Sequence, residues 1–231
     1  MKKSVIHLSP VLILFCLYSL TSLAAEKQKH DFARWENTIS RFEQQDREQG
    51  IQEKGVLFVG SSSIRLWDLE KYFPNQPTIN RGFGGSEIVD STHFADRIIL
   101  KHKPRQIFLY AGDNDISRKR TADEVASDFQ NFVKVVHQTL PETRIVFIAI
   151  KPSLSRWNLS ETMIKANQKI AAQCAKNALL DYADVWKPML GTDGKPKPEL
   201  FKSDGLHLNH EGYLIWKKAV QPFIEQGSSR R

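Results

Sequence analysis

Five short, largely apolar runs constrain what this chain can fold into more than any other feature. The clearest is "GVLFVG" at 55–60, followed by "TIN" around residue 79, "QIFLYAG" at 106–112, "RIVFIAI" at 144–150 and "LLDYADV" at 179–185. Runs apolar at successive positions suit strands buried on both faces, the habit of parallel sheets. Between them lie helical periods. Phe32, Trp35, Ile39 and Phe42 recur at helical spacing among charges. Ala122, Val125, Ala126, Phe129, Phe132, Val133, Val136 and Leu140 sustain the same period behind Thr121-Ala-Asp-Glu124, a capping-box pattern. Strands alternating with helices predict an α/β domain with a central parallel sheet of about five strands, covered on both faces.

Residues 1–24 read as a signal peptide. Lys2 and Lys3 precede an apolar stretch at 11–20, and Ser22 and Ala24 supply small residues at a cleavage site. The apolar core is shorter than the ~20 residues of a spanning helix, so the expectation is export to the periplasm or medium, with no stable membrane insertion after cleavage. Residues 25–231 then suffice for a single domain, with 226–231 expected to be a disordered tail. Loss of Lys2 and Lys3 lowers the formal charge from +7 to +5. The remaining basic residues are scattered and form no stripe with interleaved aromatics, so no nucleic-acid partner is expected. Without Cys16, Cys174 has no partner for an intrachain disulfide. It lies four residues after Ile170 on a helical pattern, as a buried thiol would.

In open parallel sheets, ligands bind outside the carboxyl ends of the strands. The residues just beyond the apolar runs are "GSSS" (60–63), "NRGFGGS" (80–86), "GDND" (112–115) and "KPS" (151–153), with "SDGLHLNHEGY" (203–213) further on. A serine hydroxyl becomes a nucleophile only with a base, an acceptor that orients the base, and donors for the developing oxyanion. Asp204 stands three residues before His207, so one turn of backbone would bring its carboxylate to Nδ1. A plain hydrogen-bonding loop would look the same. His210 lacks an acid so placed, and His30, His93, His102 and His137 read as surface residues. The glycines of "GFGG" and the Asn114 amide are candidate oxyanion donors, although turns and loop caps also use such residues.

Taken in order, Gly60-Ser61-Ser62, Gly82-Phe-Gly-Gly85, Gly112-Asp113-Asn114-Asp115 and Asp204-Gly-Leu-His207 resemble the four sequence blocks of the SGNH (GDSL-type) esterase and lipase superfamily. The likeness is greatest to the bacterial branch with GSSSI in place of GDS. The resemblance implies a flavodoxin-like three-layer α/β/α fold and a serine hydrolase needing neither metal nor cofactor. It makes Ser62 the nucleophile, His207 the base and Asp204 its orienter, with the N–H groups of Ser62 and Gly85 and the Asn114 side chain as the oxyanion hole. Ser61 and Ser86 stand where relatives often carry Asp, which implies altered loop hydrogen bonding and an intact triad.

Short strand-end loops favour small acyl groups, acetyl above all, on a polar carrier such as a glycan. The rival is a lysophospholipase or short-chain lipase, for which Trp67, Phe83 and Trp157 could contact a chain. A non-catalytic carbohydrate-binding or acyl-transferring relative is a further alternative. Lys151 and Arg156 are candidates for binding an anionic group of the substrate. Asp113 and Asp115 lack further carboxylates at ligand spacing, so no metal is expected.

Overall fold

The apolar runs form five parallel strands in a computed structural model that describes residues 30–229. The expected signal peptide lies outside the described residues. The strands are β1 (Val56–Gly60), β2 (Thr78–Gly82), β3 (Gln106–Tyr110), β4 (Arg144–Ile148) and β5 (Leu180–Ala183), in the order β2-β1-β3-β4-β5. The helices are α1 (Glu36–Gln49), α2 (Ser62–Arg65), α3 (Leu69–Tyr72), α4 (Ile88–His93), α5 (Ala95–Ile98), α6 (Asp113–Ser117), α7 (Ala122–Thr139), α8 (Ser160–Cys174) and α9 (His210–Ser229).

Alternate strand residues feed two separate cores. Leu57, Val59, Ile107, Leu109, Ile145 and Phe147 pack with Ile39, Ile88, Phe129, Phe132 and Ile170 of α1, α4, α7 and α8. Val56, Phe58, Phe108, Tyr110, Val146 and Ile148 pack with Ile64, Leu69, Trp216 and Val220 of α2, α3 and α9. All twelve strand side chains are fully buried, each contributing about 1.5–3 kcal/mol if aliphatic or phenylalanine. The result is the three-layer α/β/α architecture implied by the family resemblance.

The capping box forms as expected. Thr121 Oγ1 accepts from Glu124 N at 3.2 Å, and Glu124 Oε2 accepts from Thr121 N at 2.9 Å. Cys174 is buried at the end of α8, and burial pushes its thiol up to about 12. The third strand stops at Tyr110, short of the expected residue 112, because Gly112 at φ +115° turns the chain into α6. At the other end α9 continues to Ser229, so residues 226–229 prolong a helix where a disordered tail is expected. Among the described residues no helix is long and apolar enough to cross a membrane.

The strand order has its switch point between β1 and β3, where chain connections depart in opposite directions and a crevice opens at the carboxyl ends. Gly60 closes β1 there at φ +128°, and a Cβ on it would stand 1.9 Å from the Tyr110 carbonyl oxygen. Backbone strain and backbone overlap combine at this residue. Gly60→Ala is therefore expected to cost at least about 3 kcal/mol, read as a lowered urea midpoint.

Candidate active site

Ser62 is presented by a sharp strand-to-helix turn. Ser61 donates its N–H to Tyr110 O at 2.9 Å, continuing the β1–β3 ladder by one residue. Its own carbonyl accepts from Ile64 and Arg65 at 3.0 and 3.1 Å, starting α2. From the far side, Tyr213 Oη of α9 donates to Ser63 O at 2.9 Å. The three adjacent serines are thereby sorted. Ser61 and Ser63 are 1% and 2% exposed, whereas Ser62 is only partly buried.

The Asp204–His207 loop meets that turn. His207 Nε2 lies 3.0 Å from Ser62 Oγ, and His207 Nδ1 lies 2.6 Å from Asp204 Oδ2. The other Asp204 oxygen accepts the N–H groups of Leu206 and His207, each at 2.9 Å. The His207 side chain first, then these two N–H groups, hold the Asp204 carboxyl well below the usual carboxylate range. An ionised Asp204 accepts a hydrogen bond from an Nδ1–H, which leaves Nε2 as an acceptor for the Ser62 hydroxyl. Gly205, at φ +62°, lets the loop turn this tightly, and its carbonyl accepts from Ser155 N at 3.1 Å.

At the start of α6, Asn114 donates through Nδ2 to Ser86 O at 3.0 Å, leaving its second amide proton available. The backbone N–H groups of Ser62 and Gly85 have no protein acceptor among the described residues. Asp115 ties this region together. One oxygen accepts from Ile88 N at 3.0 Å and the other from Gly112 N at 2.9 Å, so a buried carboxyl bridges the segment after β2 to the turn after β3. Burial pushes that carboxyl up to about 7. The sequence marks Asp115 only as a cation candidate. An acid three residues after Gly112, at the start of a helix, is the capping signal that would have found this role.

Lys151 and Arg156, expected to face an anionic substrate, both turn to Asp113. Asp113 Oδ2 lies 3.1 Å from Arg156 Nη1 and 3.7 Å from Lys151 Nζ. The Lys151 side chain is 1% exposed, so its ammonium does not reach the surface, while Arg156 retains 19%. Trp67 and Phe83 belong to the core, at 1% and 0% exposure, and offer nothing to an acyl chain. Trp157 stacks on Trp186 with ring centroids 6.0 Å apart. Ser61 and Ser86 bury hydroxyls that find no hydrogen-bond partner among the described residues, so neither replaces a carboxylate acceptor. His102, expected at the surface, is 1% exposed beside Asp46.

A hydroxyl, an imidazole and a carboxylate joined in this order can carry out acyl transfer. The profile of the GDSL-like Lipase/Acylhydrolase family matches residues 65–215, which include Gly85, Asn114, Asp204 and His207 and begin three residues after Ser62. The chain belongs to this family and is a carboxylic ester hydrolase. It is 27% identical over 206 residues to platelet-activating factor acetylhydrolase IB subunit alpha2 of Rattus norvegicus, covering 84% of each chain. A solved structure from Streptococcus pneumonia, named after platelet activating factor, superimposes with a TM-score of 0.75 at 20% identity, covering 83% of this chain and 92% of that one. An acetylxylan esterase from Geobacillus stearothermophilus gives a TM-score of 0.59 at 15% identity, covering 74% and 94%. These two structural likenesses speak for the fold.

Proposed function

We propose that the protein is a serine esterase that removes small acyl groups, acetyl foremost, from a carbohydrate carrier. The contact of His207 Nε2 with Ser62 Oγ at 3.0 Å, backed by Asp204 on Nδ1, is the observation that carries this reading. Ser62 Oγ attacks the ester carbonyl as His207 takes its proton, and Asp204 stabilises the imidazolium. The oxyanion that forms is held by the N–H groups of Ser62 and Gly85 and by the Asn114 amide. His207 then passes the proton to the leaving alcohol. Water, deprotonated by the same imidazole, releases the acyl group and restores Ser62.

Losing one oxyanion donor typically lowers turnover about a hundred- to thousandfold. Asn114→Ala is expected to lose kcat on p-nitrophenyl acetate by that factor, measured as initial rates. Activity within a few-fold of wild type would remove Asn114 from the hole. Lys151 and Arg156 act here as positioning residues, fastening the loop after β4, whose Ser155 holds Gly205, to Asp113.

Small acyl groups are supported by the connections nearest Ser62. One residue separates β1 from α2, and two separate β3 from α6, leaving little chain there to wall a long tunnel. The named activities of two relatives, an acetylhydrolase and an acetylxylan esterase, support acetyl in the same way. The lipase reading rests on Leu154, 41% exposed beside Gly205. A series of p-nitrophenyl esters separates the two. A sharp fall in kcat/KM beyond butyrate supports acetyl ester removal, and a rise toward octanoate supports the lipase.

A further inference from the structure

A polar groove lined by Arg65 runs along the free edge of β2. Its volume is about 500 Å³, within the range of small-ligand sites. Gln45, Gln49 and Phe42 of α1, Gln52, Arg81 and Arg65 are among its walls. One carboxylate on its floor is shared between two cations. Asp46 is the only carboxylate in the lining, yet it meets both the Arg81 guanidinium and Lys101 Nζ, the latter at 2.6 Å. His102 adds no compensating anion, and burial and the Arg81 charge press it toward its neutral form. Arg81 is itself 92% buried, and its Nε has no hydrogen-bond partner among the described residues. A buried guanidinium with an unpartnered N–H, whose carboxylate is shared with a second cation, favours an incoming acceptor. Arg65 brings a second guanidinium, exposed and with no ion pair among the described residues.

The β2 edge would otherwise invite another strand, but its own side chains occupy it. Asn80 O accepts from Arg81 Nη1 at 3.1 Å, and Gly82 N donates to Asn80 Oδ1 at 2.9 Å. That leaves little main-chain pairing for a peptide. What remains is recognition by side chains: glutamine amides for hydroxyls and guanidinium groups for an anion. Arg65 also connects the groove with the reaction centre. It follows Ser62 by three residues, and its Nε lies 3.1 Å from where a Cβ on Gly84 would stand, beside Gly85.

We infer that the β2 groove, through Arg65 and Arg81, binds an anionic saccharide, a sugar bearing carboxylate or phosphate, as part of the carrier from which the acyl group is removed. The inference rests on the carbohydrate-ester reading for the ligand's place in the reaction, while binding in the groove is measurable without any ester. Calorimetric titrations of the purified protein with tetragalacturonate, glucose 6-phosphate and neutral xylotetraose, with amide chemical shifts recorded alongside, test it. The expected result is an anionic ligand bound at least about tenfold more tightly than xylotetraose, with the larger shifts at residues 42–52 and 78–82. The tighter of the two anions identifies the group. Arg65→Gln is expected to weaken that ligand about tenfold, and Gln49→Ala, at an exposed helix position, to weaken it less. Equal affinity for xylotetraose, shifts elsewhere, or an unchanged affinity in Arg65→Gln would overturn the inference. None of the three probes is an ester, so an inactive enzyme and an empty groove would be separate results.

Discussion

Ser62→Ala is expected to lower kcat on p-nitrophenyl acetate by about 10⁵- to 10⁶-fold, the scale seen when a triad nucleophile is removed elsewhere. A residual rate above that in water should survive, because the N–H groups at Ser62 and Gly85 and the Asn114 amide are untouched. The effect should fall on turnover and leave the fold intact. Ser62 Oγ bonds to His207 Nε2, and the turn itself is made by backbone groups and by Gly60. Ser61→Ala and Ser63→Ala are the matched controls, since those side chains are buried away from His207. A loss in Ser61→Ala or Ser63→Ala as large as in Ser62→Ala, with folding unchanged, would mean that the serines are wrongly sorted.

Asp204→Asn is expected to be almost as damaging, lowering kcat about 10⁴-fold with KM little changed. Oδ1 of an asparagine would still accept from the N–H groups of Leu206 and His207, so the loop should keep its shape. The change falls on the ring. Asp204 Oδ2, 2.6 Å from Nδ1, holds the imidazole with its proton on that nitrogen. An amide N–H there can donate to Nδ1 and move the ring proton to Nε2, which then cannot accept from Ser62. Separate fits of kcat and KM on p-nitrophenyl acetate decide the matter. A fall in kcat of tenfold or less would show that Asp204 contributes little beyond shaping the loop.

The parts of this site legible in the sequence are those in which chemistry is local. Asp204 and His207 are three residues apart, and one turn of backbone suffices to join them. Ser62 is singled out from Ser61 and Ser63 by the family resemblance, as the serine two after Gly60. The fold is legible for a similar reason, since the three runs most continuously apolar are the central strands β1, β3 and β4. Contacts between distant segments were not legible. Lys151 looks like a free cation until β4 sets it beside Asp113 of α6. His102 looks like a surface histidine until α1 brings Asp46 against it from 56 residues away. Phe83 sits between glycines and Trp67 between charged residues in the sequence, yet each fills one of the two cores flanking the sheet. In all three cases the deciding partner lies on another element, and no periodicity in the neighbourhood of the residue reports it.

The most direct measurement is reaction of the folded protein with a fluorophosphonate probe, followed by peptide mass spectrometry of the adduct. A base-activated Ser62 gives a single adduct on Ser62, lost in His207→Ala. An adduct on Ser61 or Ser63, or none on the folded protein, would contradict the proposed catalytic serine.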